Sequence, residues 1–160
     1  MAYVTYYTVA FTNNLNEEIE ILLQKKDGDP DTVVQDYAAR AVRYSKNNLG
    51  QGKFTTVIST EIEITIDLAI TDIDYWDEFV NAEYDTWKCV ATLDGKPYFD
   101  GFVLPDEGAV PFQDRPHDAT IRAIDGLGLL KQKPLSGFDG EHTLISYIAF
   151  CLKQTNLELP

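Results

Sequence analysis

The chain is an α+β domain in which antiparallel β-structure dominates. Three features predict this. Ile62, Ile64, Ile66 and Leu68 alternate with Glu61, Glu63, Thr65 and Asp67, the buried-in, solvated-out pattern of an antiparallel sheet. Asp94-Gly95 separates two alternating runs, the signal of a tight type I′ hairpin. Clear helical spacing is confined to one short run after Asp74 and one longer run after Thr143. The expected architecture is a set of hairpins forming a small barrel-like sheet, because closure removes exposed strand edges.

The elements follow in order. Tyr3 to Phe11 is rich in Tyr, Val and Thr, which suit a pleated, half-buried surface. Asn13-Asn14 supply a turn, since Asn tolerates left-handed backbone. Glu17 to Gln24 returns as a strand with Ile19, Ile21 and Leu23 on one face. Asp27-Gly28-Asp29-Pro30-Asp31 breaks the hairpin. Thr32 to Asn48 has helical spacing at Val34, Tyr37, Ala38, Ala41 and Val42 but strand alternation around Tyr44. The reading adopted is an irregular segment that enters a strand near Ala41. Thr55 to Leu68 is one long strand, or two broken near Ser59-Thr60.

Asp74 is placed to cap a helix of one or two turns through Val80. In the hairpin that follows, Trp87, Cys89, Ala91 and Leu93 share a face. Gly101 lies in mid-strand, where glycine marks a bulge or a close backbone approach. Pro105 to Pro116 is a proline-interrupted loop. The strand from Ala119 to Asp125 ends at Gly126. There Asp125 is placed to cap a short helix to Lys131, and Gly126 turns the corner. Thr143 caps a last helix with Leu144, Ile145, Ile148, Cys151 and Leu152 as its apolar stripe. The expected division is a β-rich domain over residues 1–135 and a helical segment over 136–160. That segment either packs back on the sheet or leads into a further domain.

Composition narrows the function. A net charge of −13 opposes binding nucleic acid through its phosphates, which needs clustered Lys and Arg. No apolar run is long enough to span a membrane as a helix. The two cysteines, Cys89 and Cys151, are widely separated and sit among apolar neighbours, as inert thiols do.

Catalytic patterns are absent from the sequence. The two histidines, His117 and His142, accompany no nucleophile elbow or cysteine-protease signature. Asp27, Asp29 and Asp31 have the spacing that opens a calcium loop, but Thr32 replaces the required Gly and Ala38 the closing Glu, so they read as a solvated turn. Gly126-x-Gly128 is too short for a phosphate loop. No enzyme activity and no cofactor is expected. The residues singled out, Asp94, Gly95, Gly101, Asp125 and Gly126, are structural turns and caps.

Several short motifs carry a family resemblance. Asp100-Gly101-Phe102-Val103-Leu104-Pro105 matches a strand return of the form G-x-x-x-P, and Ala123 to Lys131 matches A-x-D-G-L-x-x-L-K. Thr143 to Leu157 follows the cadence T-x-x-x-x-I-x-x-x-L-x-x-T-x-L. Together these resemble the baseplate-hub and tail-associated proteins of the phage and prophage tail tip, over the stretch from Glu61 to Leu157.

The resemblance implies a virion structural protein, assembled in the bacterial cytoplasm and resident in the tail. It implies partners that are copies of itself, most simply a trimer, and other tail proteins, in a ring of β-barrel domains between tail tube and tip. On that reading Glu61, Glu63 and Asp67 would line solvent or a lumen and repel DNA, unless basic contacts neutralise them. The competing reading is a glycan- or host-surface-binding β module that uses exposed aromatics, drawn from nine Tyr, eight Phe and two Trp. A pair of exposed aromatics side by side would favour it.

Overall fold

The computed structural model describes residues 2–48, 58–68, 79, 81–107, 117–126 and 143–153. Eight strands form one sheet. They are β1 (Tyr3–Thr12), β2 (Glu18–Lys26), β3 (Gln35–Tyr37), β4 (Ala39–Asn48), β5 (Ile58–Leu68), β6 (Trp87–Leu93), β7 (Lys96–Val103) and β8 (His117–Asp125). A 3₁₀ turn spans Pro105–Glu107, and one helix, α1, spans Leu144–Lys153.

The strand order is β3-β1-β2-β6-β7-β8-β5-β4. Every pairing is antiparallel except β1 with β3, which is parallel. The mostly-β reading therefore holds. The barrel-like closure does not: the sheet is open, and its terminal strands β3 and β4 share no ladder. The reason is local. β3 and β4 are separated only by Ala38, and the chain changes partners there. Before Ala38 it lies along β1, with Tyr37 opposite Val9; after it, the chain lies along β5, with Val42 opposite Ile64. A register shift between Ala39 and Ala41 accompanies the change. The Ala38 carbonyl accepts the Asp67 amide at 3.3 Å, which anchors the joint to β5.

Alternation builds the core. Ile62, Ile64 and Ile66 of β5 are buried, as are Ala119, Ile121 and Ala123 of β8 and Ile21 and Leu23 of β2. Trp87, Cys89 and Ala91 of β6 join them, while Leu93 at the strand end is half-buried. Tyr6, Tyr7, Tyr37, Phe79 and Trp87 form an aromatic cluster within this core. Phe79 takes helical backbone and is buried, but Asp74 and the rest of the expected short helix lie outside the described residues. β5 runs unbroken through Ser59-Thr60.

Turn chemistry agrees with the sequence, with one displacement. Asp94 (φ 49°) and Gly95 (φ 73°) both take the left-handed conformations of a type I′ turn. In the first hairpin the left-handed residue is Asn16 (φ 60°), not Asn13 or Asn14. Asn13 instead accepts the amides of Leu15 and Glu17 on its Oδ1, at 2.9 and 3.0 Å. Thr143 caps α1 as expected, its Oγ1 accepting the Ser146 amide at 3.3 Å. The stripe is only partly covered: Ile145 is 79% and Ile148 48% exposed, while Cys151 and Leu152 are half-buried.

Candidate functional site

Of the residues singled out in the sequence, Asp94 and Asp125 tie strands that are distant in the chain. Asp94 Oδ1 accepts the Glu18 amide at 2.9 Å, and the Asp94 amide donates to the Glu18 carbonyl at 2.8 Å. The β6–β7 turn is thereby fastened to the start of β2. Gly101 is the close approach: a Cβ there would collide with the Ile124 carbonyl oxygen and meet Phe99 Cζ at 2.7 Å. The bulge lies elsewhere, between Ala91 and Thr92, where Phe99 and Pro97 of β7 bracket Tyr98.

Asp125 Oδ2 accepts both the Thr60 amide, at 2.7 Å, and the Thr60 hydroxyl, at 2.8 Å. Gly126 takes helical backbone and is buried, and the rest of the short helix to Lys131 lies outside the described residues. Removing the Asp125 carboxylate leaves a β5 amide without its acceptor. Asp125→Ala is therefore expected to cost about 1–2 kcal/mol in urea denaturation, and Asp125→Asn less, because its amide oxygen can still accept.

A charged row crosses three strands. Arg43 on β4 faces Glu63 on β5, and Glu63 faces Arg122 on β8. Arg122 Nε donates to Glu63 Oε2 at 2.8 Å and lies 4.0 Å from Glu61 Oε1; its Nη1 lies 3.5 Å from Glu107 Oε2. The hydrogen bond that Arg122 donates to Glu63 chiefly, with the charges of Glu63 and Glu61, holds the guanidinium above its ordinary pKa. Glu61 and Glu63 thus share one basic contact, Arg122, with Glu107. In sequence these acids read as solvated because Arg122 lies on a strand far along the chain. The half-exposed pairs are each worth about 0.2–1 kcal/mol.

A second tie joins β1 and β2 to the segment before β6. Lys26 Nζ donates to Asp85 Oδ2 at 2.9 Å, and the Tyr3 hydroxyl donates to the Asp85 carbonyl at 3.0 Å. The hydrogen bond to Asp85 raises the Lys26 pKa above 10.5; burial, then the Asp85 charge, raise that of Tyr3 above 10.0. Both groups hold their proton more tightly folded than unfolded. Their contribution is complete below the unfolded values and is lost as pH rises through the folded ones. The urea midpoint is expected to fall as pH rises above about 10, and Lys26→Met to flatten that fall. The effect is small, below about 1 kcal/mol for the ion pair.

Among the described residues, reactive groups do not converge. Burial pushes the Cys89 thiol far above its ordinary pKa and keeps it protonated. His117 Nδ1 is buried without a partner among the described residues, as are Ser59 Oγ and Trp87 Nε1, on three different strands. Asp29 Oδ1 accepts the Asp31 amide at 3.0 Å, and the Asp29 amide donates to the Tyr6 hydroxyl at 2.9 Å, so this acidic loop is a turn pinned to β1. Among the described residues no group of three His, Cys, Asp or Glu is placed to hold a metal. No described helix is long and apolar enough to cross a membrane.

What the surface offers is contact. Ile145, Tyr147 and Ile148 of α1 are exposed together. Tyr98, 45% exposed, lies against the half-buried Tyr44 with ring centroids 4.7 Å apart. No family model, curated protein or solved structure matches the chain.

Proposed function

We propose that this chain is a structural subunit of a phage or prophage tail tip, similar to baseplate-hub proteins, that acts by assembling with itself and with other tail proteins. The observation that carries the reading is α1. Its Ile145, Tyr147 and Ile148 present apolar surface that the sheet does not cover, and contiguous exposed apolar surface marks an interaction site. The tail-tip motifs quoted above include the N-terminal turn of this helix, and the other described ties are structural. Light scattering at high protein concentration tests the assembly. A trimer, three times the 18.0 kDa monomer, is the expected species. A strictly monomeric protein opposes the reading, and labelled antibody binding at the tail tip of induced particles supports its location.

A second reading has an observation of its own. Tyr44 and Tyr98 lie side by side near the surface, the arrangement a sugar face stacks on. A glycan array tests it: binding lost in Tyr98→Ala supports a host-surface module, and a silent array counts against one.

A further inference from the structure

We infer that the outer edge of β4 is a docking edge for an extended, acidic strand of a partner protein. β4 is ten residues long and terminal in the ladder. Its inner edge is paired with β5 along its length. Among the described residues, β1 pairs on its outer side with β3 alone, from Tyr7 opposite Gln35 to Val9 opposite Tyr37, and β1 itself ends at Thr12. Past that point no described strand pairs with the outward amides and carbonyls of β4. Such a row of donors and acceptors is a template for an added strand.

Charge selects the occupant. The chain has 26 acidic and 13 basic residues, yet residues 39–48 contain Arg40, Arg43 and Lys46 and no acid. Arg43 and Lys46 are exposed. The charged row across the sheet already alternates: Arg122 on β8, Glu63 on β5, Arg43 on β4. An acidic residue on an added strand continues that alternation, and opposite charges directly across a sheet stabilise pairing. In the register that pairs residue 43 with itself, a second copy of β4 laid antiparallel would set Arg43 against Arg43, which opposes that pairing. The inference holds whether or not the chain assembles through α1.

The test uses the full chain and two fluorescent synthetic peptides matched in length to β4. One alternates Glu with Val and Thr; the other carries Lys in place of Glu. Anisotropy is expected to show saturable binding of the acidic peptide, at least about tenfold tighter than the basic one. Amide exchange of β4 is expected to slow when the acidic peptide binds. The double variant Arg43→Gln with Lys46→Gln, which leaves the Arg122–Glu63 pair in place, is expected to weaken binding about tenfold while the chain keeps its native circular dichroism spectrum. Absence of saturable binding, equal binding of both peptides, binding without β4 protection, or β4 buried by self-association would each overturn the inference.

Discussion

Trp87→Ala is expected to be the most damaging single substitution, costing about 3–5 kcal/mol. The indole is 1% exposed. Its ring centroid lies 4.3 Å from that of Phe79, 5.5 Å from Tyr6 and 5.9 Å from Tyr7, and the Lys25 ammonium lies 5.8 Å from it. Truncation leaves a hollow among rigid rings that cannot collapse into it, so the cavity cost adds to the lost burial. Domains of ordinary stability have about 5–15 kcal/mol in total, so the variant would sit near its unfolding threshold. Trp87→Phe separates the contributions. It removes a buried indole N–H that has no partner among the described residues. It keeps an aromatic ring and is expected to cost less than about half as much as Ala. Circular dichroism in urea reads both variants; an alanine variant with the parental midpoint would show that the cluster does not support the fold.

Gly101→Ala is expected to cost about 3 kcal/mol, at the upper end for an added methyl group. The obstruction is backbone: the new carbon would meet the Ile124 carbonyl oxygen and, at 2.8 Å, its carbonyl carbon. Backbone in a paired strand cannot rotate aside as a side chain can. β7 and β8 pair through only Gly101, Phe102 and Val103, opposite Asp125, Ile124 and Ala123. The substitution strikes this short seam, so the two halves of the sheet are expected to loosen there first. Faster amide exchange at Phe102 and Ile124 than elsewhere in β7 and β8 would show it; uniform exchange would argue that Phe99 and its neighbours absorb the strain.

The features legible in the sequence are those whose cause is local. Period-two alternation marked β5 because a half-buried strand must place every second side chain inward, and Ile62, Ile64 and Ile66 do so. Asp94-Gly95 was legible because few residues adopt two successive left-handed conformations. Thr143 was legible as a cap because the first turn of a helix needs an acceptor. The remainder depends on which strands become neighbours. The Thr60 hydrogen bonds of Asp125, the hold of Asp94 on Glu18 and the binding of Glu61 and Glu63 by Arg122 all cross between strands distant in sequence. No local signal announces them. The barrel expectation failed for a related reason. Avoidance of open edges is a general tendency, whereas the change of partners at Ala38 is particular to this chain. The exposed stripe of α1 shows the same limit, since helical periodicity marks an apolar face without saying what covers it.

Ala38 also bears on how the sheet comes apart. β3 and β4 stand at opposite ends of the ladder, yet one residue joins them. Peeling either away drags on the other, so the two outermost strands behave as a clasp and not as two independent flaps. Fraying, which ordinarily starts separately at each rim of an open sheet, becomes here one shared event. The amides of β3 and β4 should therefore exchange with a common opening free energy, and a glycine inserted after Ala38 should split that single event into two.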